Sequence, residues 1–123
     1  MRVASVLSSL GLPHGRDEYE AALAAVGGSW AWTTELSAAD ARLGGADVSS
    51  DEIREWLTGL IPTDTEVLVA WPAERMGARM DYAVWLQHFE DLWHPASDDV
   101  VLIPPGGGFV VIDHEEQFSF VHR

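Results

Sequence analysis

The chain contains no cysteine and no lysine, and it has no long apolar run. The first absence removes disulfides, thiolate nucleophiles and cysteine metal sites together. The second leaves arginine as the only strong base, which reads as compositional bias of the source. A membrane span needs about 20 consecutive apolar residues, and an export signal needs a denser apolar core than the N-terminus offers. There, Ser5, Ser8 and Ser9 interrupt MRVASVLSSLGLPHG. A bacterial, cytoplasmic protein is the expectation.

Positive charge is scarce as well. Acidic residues number 20 against 7 basic ones, a formal net charge of -13 over 123 residues. Between Met80 and His122 stand Asp81, Glu90, Asp91, Asp98, Asp99, Asp113, Glu115 and Glu116, with no Arg or Lys among them. Such a field repels phosphate backbones and anionic lipid and attracts basic protein surfaces. Neither nucleic acid nor membrane is therefore expected as a partner. Hydrophobic residues at 47% against charged ones at 22% are ordinary for a folded domain, and the length suits a single core spanning 1–123.

Periodicity organises that core. Val3, Val6, Leu7 and Leu10 share a helical face that Gly11 and Pro13 close. Asp17 is placed to cap a helix through Tyr19, Leu23 and Val26 that stops at Gly27-Gly28. Ser29 to Leu36 carries Trp30 and Trp32 two apart, as an extended piece or a loop. SAADARL, from Ser37, reads as a small helix closed by Gly44-Gly45. Ser50 or Ser49 starts a helix, Ser49 being the better capping-box candidate because Glu52 lies three residues after it, and either register buries Ile53, Trp56, Leu57 and Leu60 before Pro62 ends the run.

Strands take over in the C-terminal half. TEVLVAW (65–71) is β-branched and continuously apolar at its centre, as in a strand covered on both sides. Pro72 to Arg79 reads as a loop. Asp81 can cap a helix over 82–94, where Tyr82, Trp85, Phe89, Leu92 and Trp93 recur at helical spacing. Residues 79–86 also alternate, which leaves a strand as the alternative there. Strands follow at 99–103, 108–113 and 117–121, separated by PPGGG and HEE. The expected class is α+β, with N-terminal helices packed on one face of a small, mostly antiparallel sheet. No internal repeat or linker interrupts it.

Candidate chemistry is thin. His88, Asp91, His94, Asp98, Asp99 and His114 crowd together, yet no HExxH or recurrent carboxylate spacing supports a metal. Asp98 and Asp99 enter a strand side by side, so their carboxylates point to opposite faces and do not converge on one substrate atom. No G-x-S-x-G elbow exists. PPGGG joins two strands and lacks the lysine of a phosphate loop. No catalytic residue, cofactor or metal is assigned.

FEDLWHPASDD, followed by an apolar strand, a Gly-rich turn and FVVIDHEEQFSFV, resembles small bacterial cytosolic proteins that accompany polymorphic toxins as immunity partners. The likeness runs from TEVLVAW to the C-terminus. It implies a cofactor-free binding protein that blocks a toxin by occluding its active site or an essential surface, and it carries over no individual residue. Charge leads the same way, since acids steer a basic partner and buried aromatics slow its release. Glu90, Asp91, Asp98, Asp99, Glu115 and Glu116 are the steering candidates, with Trp30, Trp32 and Trp93 as anchors. The rivals are a small hydrolase, metal-dependent or carboxylate-based, using Asp98, Asp99, His94 or His114, and an accessory subunit of a larger complex. A homo-oligomer formed through an exposed aromatic patch is compatible with either binding role.

Overall fold

Strand alternation sorts the apolar residues into two cores, one on each face of a single sheet. The computed structural model describes residues 2–30, 41–44, 49–62, 64–93, 99–106, 108–113 and 117–122. In chain order these form α1 (Arg2–Ser9), β1 (His14–Gly15), α2 (Arg16–Ala25), β2 (Ala41–Gly44), α3 (Ser50–Leu60), β3 (Glu66–Trp71), β4 (Met76–Asp81), α4 (Tyr82–Leu92), β5 (Val100–Ile103), β6 (Gly108–Ile112) and β7 (Gln117–His122). The seven strands lie in the order β1-β4-β3-β5-β6-β7-β2, and every neighbouring pair is antiparallel. The class is α+β.

On one face, Val67, Val69 and Trp71 of β3 align with Met76, Ala78 and Met80 of β4, Val100 and Leu102 of β5, Val110 and Ile112 of β6, and Phe118 of β7. Helices α1, α3 and α4 cover them with Val3, Leu7, Ile53, Leu57, Tyr82, Trp85, Phe89 and Leu92. The intervening residues Ala70, Val101, Ile103, Phe109 and Val111 build the second core against Ala22 and Val26 of α2. The helices thus occupy both faces, where one covered face was expected. The sequence already carries the reason: every residue of β5 and β6 is buried, and a strand apolar on both sides needs a layer on each.

Four local expectations change. Pro72 to Arg79 is not all loop: Pro72–Glu74 makes one 3-10 turn, Arg75 takes a left-handed conformation (φ 52°, ψ 44°), and β4 begins at Met76. Its alternation was masked by Gly77, Arg79 and Asp81 on the other face. The strand runs to Asp81 and α4 starts at the next residue, so the strand and helix readings of 79–86 each hold for part of it. In SAADARL, Ala41–Gly44 is an edge strand paired with β7 and not helix; residues 37–40 lie outside the described residues. Helix α2 begins at Arg16 behind Gly15, which provides no side-chain cap, so Asp17 sits in the first turn. The cause is β1: His14 and Gly15 pair with Ala78 and Gly77, and the chain turns into the helix directly from that pairing.

The remaining caps follow the sequence more closely. Ser49 Oγ accepts the Glu52 N–H at 3.2 Å and donates to Glu52 Oε1 at 3.2 Å. Asp81 occupies the N-cap position of α4 without a side-chain bond, and the Tyr82 N–H is held by the Thr65 carbonyl at 2.8 Å. At the far end the Trp71 indole N–H donates to the Leu92 carbonyl at 2.8 Å, tying the last turn of α4 to β3. Two polar atoms in this core, the Tyr82 hydroxyl and the Trp85 indole nitrogen, have no partner among the described residues. Burial pushes the Tyr82 phenol well above the ordinary tyrosine range.

Candidate partner-binding surface

Helices α3 and α4 both lie on the first face because each presents an apolar stripe to the sheet. Ile53 and Leu57 are buried on α3, and Tyr82, Trp85, Phe89 and Leu92 on α4. Their outer faces are what remains. Asp51, Glu52 and Glu55 are exposed on α3, and Glu90 and Asp91 on α4.

A single cation joins the two helices. Arg54 donates from Nε to the Leu86 carbonyl at 2.9 Å and from Nη2 to Glu90 Oε1 at 2.9 Å. Its Nη1 lies 3.6 Å from Asp51 Oδ1, and its guanidinium carbon sits 4.8 Å from the centroid of the Phe89 ring. An exposed ion pair contributes about 0–1 kcal/mol, so the carbonyl bond and the ring contact matter more to stability than the Glu90 charge does. They also hold the guanidinium between the helices. The two helices together present five exposed carboxylates, of which Asp51 and Glu90 meet the bridging arginine.

Aromatic rings back this surface at the sheet. Phe118 meets Trp93 at 5.1 Å and Trp56 at 6.2 Å between centroids, both edge-on, the arrangement that favours aromatic pairs. Trp93 is 4% exposed. It belongs to the core and is not an exposed anchor, because the chain leaving α4 turns its ring inward onto Phe118. Trp56 remains half-buried. Trp30 lies on the opposite side of the sheet, packed against the second core, where its indole N–H donates to the Tyr19 hydroxyl at 2.8 Å. Trp32 lies outside the described residues. Trp30 and Trp93 accordingly do not form one patch.

Among the acids expected to steer a partner, Glu90 and Asp91 share the last turns of α4. Asp99 is half-buried just before β5, and Asp113 half-buried just after β6. Val100 pairs with Ile112, which puts Asp99 and Asp113 at the same end of the meander. The carboxylate of Asp113 accepts the Gln117 N–H at 3.1 Å and closes the connection to β7. Ile112 pairs in turn with Phe118, the ring beneath Trp93, so the C-terminal end of α4 reaches this same end of the sheet. Asp98, Glu115 and Glu116 lie outside the described residues, as do His94 and His114.

What sequence reasoning left out is the contribution of α3. Asp51, Glu52 and Glu55 precede the arginine-free stretch, and of the three only Glu52 enters the sequence reading, as the partner of Ser49 in the capping box. The signal was available in the amphipathic spacing, since a helix burying Ile53 and Leu57 must turn those acids outward. Among the described residues no group of three or more His, Asp or Glu side chains is placed to hold a metal ion, and no helix is long and apolar enough to cross a membrane. No protein-family model, curated protein or solved structure matches the chain significantly.

Proposed function

We propose that this chain is a non-enzymatic, acidic binding protein that docks a basic protein partner through the α3–α4 surface, in the manner of an immunity or inhibitor protein neutralising a cationic toxin by occlusion. The observation that carries the reading is the exposure of Asp51, Glu52, Glu55, Glu90 and Asp91 on two helices that Arg54 bridges, with Asp51 and Glu90 meeting its guanidinium. Complementary fields of this kind raise association rates and reject wrong partners more than they add raw affinity. A rigid base serves that role, because ordering flexible side chains on binding costs free energy. Here Arg54 fixes the two helices to each other, and Trp71 fixes α4 to the sheet.

The test is direct binding to the product of a toxin-like reading frame adjacent to the gene. Association should slow as salt rises through the range where the Debye length falls to about 8 Å. The double variant Glu55→Lys/Asp91→Lys should associate about tenfold more slowly with little change in dissociation. Absence of a complex at micromolar protein and low salt would sink the reading, and a complex insensitive to both salt and the double variant would move the interface elsewhere.

A further inference from the structure

The opposite face of the sheet carries a feature of the other sign. Along α2, Arg16, Tyr19, Glu20 and Leu23 are spaced to share one side of the helix. Together with Arg75 from the turn between β3 and β4, they line a cleft of about 350 Å³. This volume is of the size that takes a small organic molecule.

In a chain of net charge -13, two of the few bases open onto this one cleft. Arg16 has a single loose carboxylate neighbour, Glu20 at 3.8 Å, and its side chain is 87% exposed. Arg75 has no ion-pair partner among the described residues. The other two described guanidinium groups with ion pairs, those of Arg54 and Arg79, are each held by a carboxylate at 2.9 Å and 3.2 Å respectively.

The backbone beneath Arg75 is also specialised. Its left-handed conformation is one that glycine or asparagine adopts more readily than an arginine does. A long cationic side chain at such a position is unfavourable for the turn itself, and its place at the cleft mouth gives it a use. Tyr19 adds a third donor. Its hydroxyl oxygen accepts the Trp30 indole N–H, and since an indole nitrogen only donates, the phenolic hydrogen is left to point elsewhere. That hydrogen finds no acceptor among the described residues.

From these observations we infer that the cleft between α2 and the β3–β4 turn binds a small organic carboxylate with an apolar body. Arg75 and Arg16 receive the carboxylate, the Tyr19 hydroxyl donates to it, and Leu23 with the Tyr19 ring contacts the apolar part. Planar guanidinium groups suit a carboxylate because they offer paired, parallel N–H donors. Glu20 limits the net charge of the lining and disfavours multiply charged anions. The site is separate from the α3–α4 surface and stands or falls independently of it.

The experiment is an NMR titration of the full chain, labelled with nitrogen-15, using hydrocinnamate and hexanoate as probes and hydrocinnamide as the neutral control. Saturable shifts confined to residues 16–23 and 75, with the amide binding at least about tenfold more weakly, are expected. Arg75→Gly should remove the binding while leaving the melting temperature equal or higher, and Arg16→Gln should weaken it without altering the fold. The inference is overturned by the absence of saturable shifts from both acids up to about 10 mM. It is equally overturned if hydrocinnamide binds as well as hydrocinnamate, or if folded Arg75→Gly and Arg16→Gln proteins both bind like the parent.

Discussion

Replacing Gly77 with alanine tests how α2 is seated on the sheet. Gly77 lies in β4 with its open side against the first turn of α2, and an added Cβ would stand 2.5 Å from the Glu18 carbonyl carbon and 2.6 Å from the Tyr19 Cα. Ordinary contact between carbon atoms is about 3.5–4.0 Å, so the helix must lift by roughly an ångström. The obstacle is backbone, which cannot swing aside as a side chain would. Lifting α2 loosens Ala22 and Val26 from Ala70 and Val101 in the second core. Overpacking of this kind costs about 1–3 kcal/mol, occasionally more, and the reduced freedom of the unfolded chain returns only about 0.4–1 kcal/mol. A net loss of about 2 kcal/mol is expected. With an unfolding entropy of about 2.1 cal/mol/K per residue over 123 residues, that corresponds to a melting temperature lower by roughly 8 °C. The internal control is Gly59→Ala in α3, where nothing lies within 4 Å of an added Cβ; it should gain about 0.5–1 kcal/mol, or roughly 2–4 °C. Thermal melts followed by circular dichroism read both. If Gly77→Ala melts with or above the parent, α2 does not rest on β4 as described.

Other perturbations follow from the same packing. Tyr82→Phe removes a buried hydroxyl without a partner among the described residues and should stabilise the fold by about 1 kcal/mol in urea denaturation. It should also change the alkaline limb. Because burial raises the Tyr82 pKa in the folded state, the unfolded chain ionises first. Its contribution is therefore complete below about pH 10 and declines by about 1.4 kcal/mol per pH unit above it. Melts across this range should show a shallower decline for the phenylalanine variant, and an unchanged slope would refute the assignment. Arg54→Ala should lower stability by about 1–2 kcal/mol through lost ring and carbonyl contacts, with the urea midpoint shifting at constant slope. Arg54→Lys should recover less than half of it, since an ammonium cannot span Leu86 and Glu90 in the same way. Ser49→Ala should cost about 1 kcal/mol and Ser49→Asp much less, as measured by the same unfolding midpoints.

The proposed surfaces divide the molecule by charge. The sheet keeps the acidic face of α3 and α4 apart from the cleft lined by Arg16 and Arg75, so one does not neutralise the other. A basic protein and a small carboxylate would then be bound on opposite sides. Mutations at Glu55 or Asp91 should leave binding of hydrocinnamate intact, which allows the two sites to be tested separately.

Where each element lies along the chain was largely legible wherever local rules and burial agree. Ser49 before Glu52 marked the start of α3, the aromatic spacing from Tyr82 to Trp93 marked α4, and the apolar runs of β5 and β6 marked the meander. The edge strands were not legible: β1 has two residues and β2 four, too few to show a period. Their existence depends on partners distant in sequence. Strand β4 was hidden for a related reason, because Gly77 is there for the approach of α2 and Arg79 pairs with Glu66 at 3.2 Å across the neighbouring strand. The candidate surface was half legible. Glu90 and Asp91 stand out in an arginine-free stretch, but the joining of α3 to α4 through Arg54 spans 36 positions to Glu90. By itself, then, the sequence determined the class, the principal helices and meander strands, and the excess of negative charge, because these depend on composition and on periods of two and 3.6 residues. Only the tertiary structure decided which carboxylates share a face, that Trp93 is core, and that Arg16 and Arg75 meet at one cleft, because those placements depend on long-range pairing that no local pattern encodes.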